Sequence, residues 1–184
     1  MSLQLTETTA KRLELLKELV PGDAPVAVIW DPRSGPWSWR VAETAARERG
    51  WKLVSLEIRD AGEIEGAFKA ATGRARALLV IPSVLPDTHA RRIVDLAAKR
   101  RLPAMYGLRF YVEAGGLLCY SADLIEPWRR AAVFVDKIFK GVKAADLPIE
   151  QPTKFEIVIN VKTAKALELT IPQALLQRAD QLIQ

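Results

Sequence analysis

Three short segments of this chain carry the polar and aromatic side chains with which it could hold a small molecule. The first, residues 31–37, reads DPRSGPW and joins a carboxylate, Asp31, to a cation, Arg33, a hydroxyl, Ser34, and an indole, Trp37. A turn of this kind ahead of a helix offers backbone N–H groups and a positive helix end to a carboxylate or small anion, with the indole as an apolar wall. The same residues also suit a tight turn capped by Ser34, with the tryptophans packed on a sheet. The second segment, residues 82–88, reads PSVLPDT. Its Ser83 hydroxyl either faces a ligand or caps the helix that follows. The third, residues 106–111, reads YGLRFY. Arg109 suits an anionic group, because a guanidinium presents paired donors that match a carboxylate. An ion pair with Glu113, four residues on, would use that same fork.

Catalytic patterns are missing around these segments. The sequence contains no GxGxxG or GxxxxGK[ST] loop, no GxSxG elbow and no HExxH. His89 stands alone, and the one cysteine, Cys119, lies in an apolar run where it reads as a small buried hydrophobe. Asp31 is isolated among the residues that end strands. We therefore expect no catalytic residue, no metal site and no cofactor.

The 184 residues are 49% hydrophobic with a mean hydropathy of +0.04, enough for one good core. A net charge of +5 raises the question of nucleic acid. The basic residues are short groups, 91–92, 99–101 and 129–130, interleaved with acids on expected helices, so they read as solvated surface rather than a nucleic-acid stripe. No basic stretch followed by an apolar run opens the sequence, and no segment has the length of a membrane span, so no export signal is expected in it.

Elements must place the three segments. Leucines 13, 15, 16 and 19 with Val20 give a helical face that stops at Pro21–Gly22. Strands follow at 26–30, 52–58, 77–81 and 102–106, separated by helices at 36–49, from about 60 to 72, and at 86–101. Continuous apolar strands alternating with helices require a parallel sheet covered on both faces, so the fold class is α/β, doubly wound. Residues 109–114 read as a short helix and 117–120 as a short strand. A long helix at 123–140 shows a broad apolar stripe, 141–153 an extended segment, and 155–160 a strand. A last helix begins near Pro172, with Thr170 and Gln173 as capping partners. In such sheets ligands bind at the carboxyl ends of the strands, which is where all three segments fall.

The segment 144–184, AADLPIEQPTKFEIVINVKTAKALELTIPQALLQRADQLIQ, resembles the C-terminal end of the solute-binding proteins of bacterial ABC transporters, in the branch with tryptophan- and tyrosine-type binders. KRLELLKELVPG at 11–22, VAVIWDP at 26–32, RIVDLAAKRRLPAMYG at 92–107 and FYVEAGGLLCYSADL at 110–124 extend the resemblance over nearly the whole chain. It implies a lobe like those of type I periplasmic binding proteins, with segments that cross to a second lobe. On that basis 1–107 is an α/β lobe, 108–152 a crossing segment with a long helix packed on the other lobe, and 153–184 a strand and helix returning to the sheet. Tyr120 and Ser121 fall where such relatives place cleft residues. Ser121 stands where glycine is usual, which alters the cleft, and Glu168 replaces another usual glycine near a helix end.

The resemblance implies a small-molecule solute, with amino acids the first class to consider, an ABC permease as partner of the full-length form, and a periplasmic or extracytoplasmic setting. The ligand-binding set is then Asp31, Arg33, Ser34, Trp37, Ser83, Arg109, Tyr120 and Ser121, with Trp37, Tyr106 and Tyr120 available to stack an aromatic ligand. The alternative is a truncated module that homodimerises through the apolar stripe of 123–140 and transports nothing.

Overall fold

The computed structural model describes residues 3–20, 22–122, 125–148 and 154–184. Helix α1 (Leu3–Leu19) buries Leu13, Leu15, Leu16 and Leu19. It ends where the chain turns through Gly22 at a φ of +90°, and Lys17 Nζ donates to the carbonyls of Gly22 (2.6 Å) and Ala24 (3.0 Å). A lysine in a last helical turn suits the carbonyl-rich end.

Strands β1 (Val26–Trp30), β2 (Leu53–Glu57), β3 (Ala77–Val80), β4 (Ala104–Tyr106) and β5 (Leu118–Ala122) form a parallel sheet. With β6 (Phe155–Asn160) and β7 (Gln181–Ile183) added, the full spatial order is β2-β1-β3-β4-β5-β6-β7. Helices α2 (Trp37–Arg47), α3 (Glu63–Ala71), α4 (Val84–Thr88), α5 (Ala90–Lys99) and α6 (Arg109–Glu113) supply the crossovers. The chain reverses its direction of winding between β1 and β3, which opens a crevice at their carboxyl ends.

Alternation along the strands divides the core between two faces. Ala27 and Ile29 pack with Ile64 and Phe68 of α3, Ile93 and Val94 of α5, and Tyr111 of α6. Val26, Val28 and Trp30 pack with the α1 leucines and with Ala42, Ala45 and Ala46 of α2. Both faces are therefore covered, as continuous apolar strands demand.

The structure departs from the sequence expectations at several elements. The helix expected at 86–101 starts at Val84 and is broken at His89 (φ −108°, ψ 23°), giving α4 and α5. Ahead of α3, Asp60 accepts from the N–H groups of Gly62 (2.7 Å) and Glu63 (3.2 Å), and Glu63 accepts from the Arg59 N–H (2.7 Å). Asp60 thus closes the turn that precedes α3, while the cap position itself, Gly62, has no side-chain bond. The sheet is not wholly parallel, because β6 (Phe155–Asn160) pairs antiparallel with β5. Two further elements follow: α8 (Val161–Ala166), capped by Asn160 Oδ1 on the Thr163 N–H at 2.9 Å, and β7 (Gln181–Ile183), parallel to β6.

The last helix, α9 (Gln173–Arg178), starts at Pro172 without a side-chain cap, so the Thr170–Gln173 pairing does not form. Helix α7 (Ile125–Phe139) leaves Val133, Val135, Ile138 and Phe139 exposed, the last at 85%. Residues 123–124 of the expected helix and 149–153 of the expected crossing segment lie outside the described residues. No described helix is long and apolar enough to cross a membrane.

Candidate functional site

The register aligns the strand ends. Ile29 lies opposite Val80, Leu79 opposite Met105, and Tyr106 opposite Cys119. Asp31, Ser83 and Gly107 lie just past the ends of their strands, and Tyr120, inside β5, is one residue beyond the Tyr106–Cys119 pair, so the four lie along one edge of the sheet.

At the first loop Asp31 is 4% exposed. Its Oδ1 accepts from the Arg33 N–H (2.9 Å) and Nε (3.1 Å), and its Oδ2 from Arg33 Nη2 (3.0 Å). Those bonds hold the Asp31 carboxyl below its usual range, and burial opposes them only in part. Asp31, not Ser34, caps the short 3-10 turn Pro32–Ser34. Ser34 is exposed. Trp37 is half-buried and lies against Gly35, whose φ of +104° and contact with the indole leave no room for a Cβ. The first loop is thus a self-closed turn, and the cation of Arg33 is already spent on Asp31.

Ser83 has the extended backbone of a cap residue, yet its side chain makes no capping bond. Its Oγ is buried and has no hydrogen-bond partner among the described residues. Between the two readings of Ser83, the geometry leaves the hydroxyl available.

Arg109 goes the other way. Its Nε donates to Glu113 Oε1 (2.8 Å), its Nη1 to Glu156 Oε2 (3.2 Å) and its Nη2 to Gln181 Oε1. The bond to Glu113 is the largest cause raising its already high pKa. The side chain fastens α6 to β6 and β7, so we expect Arg109→Gln to lower the melting temperature, as checked by thermal melting.

Tyr120 is half-buried and stacks on Phe155 with centroids 5.3 Å apart. Ser121 is 2% exposed and lies 3.4 Å from Glu156 Oε1 and 3.9 Å from Cys119 Sγ, inside the sheet edge rather than open to the crevice. Cys119 is fully buried, and burial pushes its thiol up to about 11. Tyr106 cannot stack on a ligand, because it is buried against Tyr111 with centroids 4.6 Å apart.

One residue at this edge escaped the sequence reading. Arg12 of α1 is 6% exposed, and it donates from Nε to the Tyr120 carbonyl (2.9 Å) and from Nη2 to the Gly107 carbonyl (3.4 Å). Burial lowers its pKa to about 10, and the field of Asp87 opposes that shift, so it stays charged at neutral pH. Asp87 itself accepts from the Tyr111 hydroxyl (2.9 Å) and is raised above its usual range by burial. The signal for Arg12 was present: it precedes Leu16 by four residues and Leu19 by seven, which places it on the buried face of α1.

An open, mostly parallel sheet with helices on both faces and its polar loops at the carboxyl edge defines a lobe of the periplasmic-binding-protein type. The model of the ABC transporter substrate binding protein family matches residues 4–183, and the chain belongs to that family. A curated relative, the tyrosine-binding protein of Clostridioides difficile, is 24% identical over 161 residues, which are 86% of this chain and 47% of the relative. A conserved domain protein from Vibrio cholerae superposes with a TM-score of 0.87 at 22% identity, over 95% of this chain and 60% of that one. An ABC domain from Streptococcus pneumoniae in complex with L-Trp superposes at 0.86 and 22%, over 96% and 60%. The chain thus spans about half the length of the curated relative and 60% of these structures.

Proposed function

We propose that this chain forms one lobe of a substrate-binding protein that captures an amino acid between two lobes and presents it to an ABC permease outside the cytoplasm. The observation that carries the reading is the family match over 4–183, joined to a sheet edge at which a buried hydroxyl and a buried guanidinium keep unspent donors. Tyrosine and tryptophan are the first ligands to try, because one relative is a tyrosine-binding protein and a similar structure holds L-Trp. Of the eight residues read from the sequence, Ser83, Trp37 and Tyr120 keep surfaces consistent with a ligand wall. Residues 108–152 act as the crossing segment, and the exposed apolar residues of α7 pack on the second lobe of the full-length protein.

Ligand-dependent melting tests this. At a concentration of 100 times Kd a ligand stabilises by about 2.7 kcal/mol. For a chain of this size that raises Tm by about 5–10 °C. Either amino acid is expected to produce such a rise. Its absence with every amino acid tried, in a protein that is a stable dimer by light scattering, overturns the proposal in favour of a self-associating module built on α7.

A further inference from the structure

The sequence offered Arg33 and Arg109 as cations for an anionic ligand, and both are occupied by carboxylates of the chain itself. Arg12 is not. No carboxylate oxygen lies within 4 Å of it among the described residues, and of the five N–H donors of a guanidinium only two are engaged, both by backbone carbonyls. A buried charge held only by carbonyls has lost most of its hydration without gaining a counter-ion, and an anion delivered to it recovers much of that cost.

A second orphan stands in the same row. The Ser83 Oγ is buried and has no partner among the described residues, and the residue before it, Pro82, lies against Gly107, as does the Arg12 guanidinium. A Cβ on Gly107 would overlap the Pro82 ring and lie 3.2 Å from Arg12 Cζ. Glycine at 107 is what lets the loop after β3, the end of β4 and the Arg12 side chain meet. Among the groups whose fields favour the Arg12 charge, Asp87 is the carboxylate, and it already holds the Tyr111 hydroxyl.

We infer that Arg12, with the Ser83 hydroxyl in the same row, is the seat for the carboxylate of the captured solute, which therefore binds acid end inward against the sheet edge. The inference rests on reading this edge as the ligand cleft, and it names the chemical class: small molecules that carry a carboxylate. Arg12 is then the specificity-determining cation, and the rim arginines 33 and 109 hold the scaffold.

The test uses the whole chain, with the Arg12 Nε–Hε resonance identified by its loss in Arg12→Gln. L-Tryptophan, indole-3-propionate, which keeps the carboxylate and lacks the amine, and tryptamine, which keeps the amine and lacks the carboxylate, are each titrated. The first two are expected to move the Arg12 resonance and tryptamine to leave it in place. A charge-assisted hydrogen bond contributes about 1.5–3 kcal/mol, so Arg12→Gln is expected to weaken the two carboxylates about tenfold to a hundredfold and leave tryptamine unchanged. If Arg12→Gln does not fold, Arg12→Lys, which keeps the charge and lacks the Nε–Hε group, identifies the resonance, and the wild-type shifts decide. Movement with indole-3-propionate, in a protein to which tryptophan does not bind, keeps the inference and sinks the amino-acid reading. Tryptophan binding that leaves the Arg12 resonance in place, equal weakening of all three ligands, or no shift with any of them overturns the inference.

Discussion

Gly107→Ala is expected to lower stability by about 2–3 kcal/mol and to abolish solute binding with it. The new Cβ would overlap Pro82 Cγ and lie 2.8 Å from its Cδ and 3.2 Å from Arg12 Cζ. A proline ring cannot swing aside as a flexible side chain does, since it is closed onto the backbone and fixes φ. The strain must go into the Pro82–Ser83 backbone or into Arg12, whose bond to the Gly107 carbonyl would lengthen further from 3.4 Å. Overpacking a close-packed site costs about 1–3 kcal/mol. That corresponds to a fall in Tm of up to about 10 °C in a chain of this size. Thermal melting measures the first effect and ligand titration the second. An alanine variant with unchanged Tm would show that the loop yields freely, which the buried surroundings of Gly107 argue against.

Phe68→Ala carries the largest expected loss of stability alone. The ring is fully buried on α3, in the core shared with Ile64, Ile93 and Tyr111, and Arg100 Cζ sits 5.6 Å from its centroid. Truncation removes the ring and leaves a cavity that a two-faced sheet cannot close, at a cost of about 3–5 kcal/mol. Whole-domain stabilities are about 5–15 kcal/mol, so the loss is a large fraction of the total. Urea unfolding is expected to show a lower midpoint with an unchanged slope. Phe68→Leu, which retains most of the volume, should lose much less. Since Phe68 is remote from the carboxyl edge, the folded fraction of either variant should bind solute as the parent does, which separates this effect from that of Gly107.

Much of the scaffold was legible in the sequence. Val26–Trp30 and Phe155–Asn160 appear at the residues read for them. The first is an apolar run between Pro25 and Pro32, the second is rich in β-branched and aromatic residues, and the four α/β crossovers follow from similar local punctuation. The break at His89 was not legible, because residues 86–101 keep one helical period across it. Nor was the antiparallel pairing of β6 with β5, since a buried strand shows the same apolar run whichever way it points.

The candidate site divides along the same line. From the sequence came the family resemblance, the three loops and the polar residues within them, because composition and spacing are local properties. Tertiary structure decided which of those residues have anything left to offer. Arg109 meets Gln181, 72 residues away, and Arg12 meets Tyr120, 108 residues away. A side chain with several donors binds whatever the fold brings within 3 Å or so, and one-dimensional spacing does not encode that neighbourhood. The sequence by itself determined an α/β lobe of a substrate-binding protein with its polar loops at one edge. Only the packing of α1 against β4 and β5 turned a helical arginine into the cation of that edge, and only the approach of β6 and β7 to α6 took Arg109 out of it.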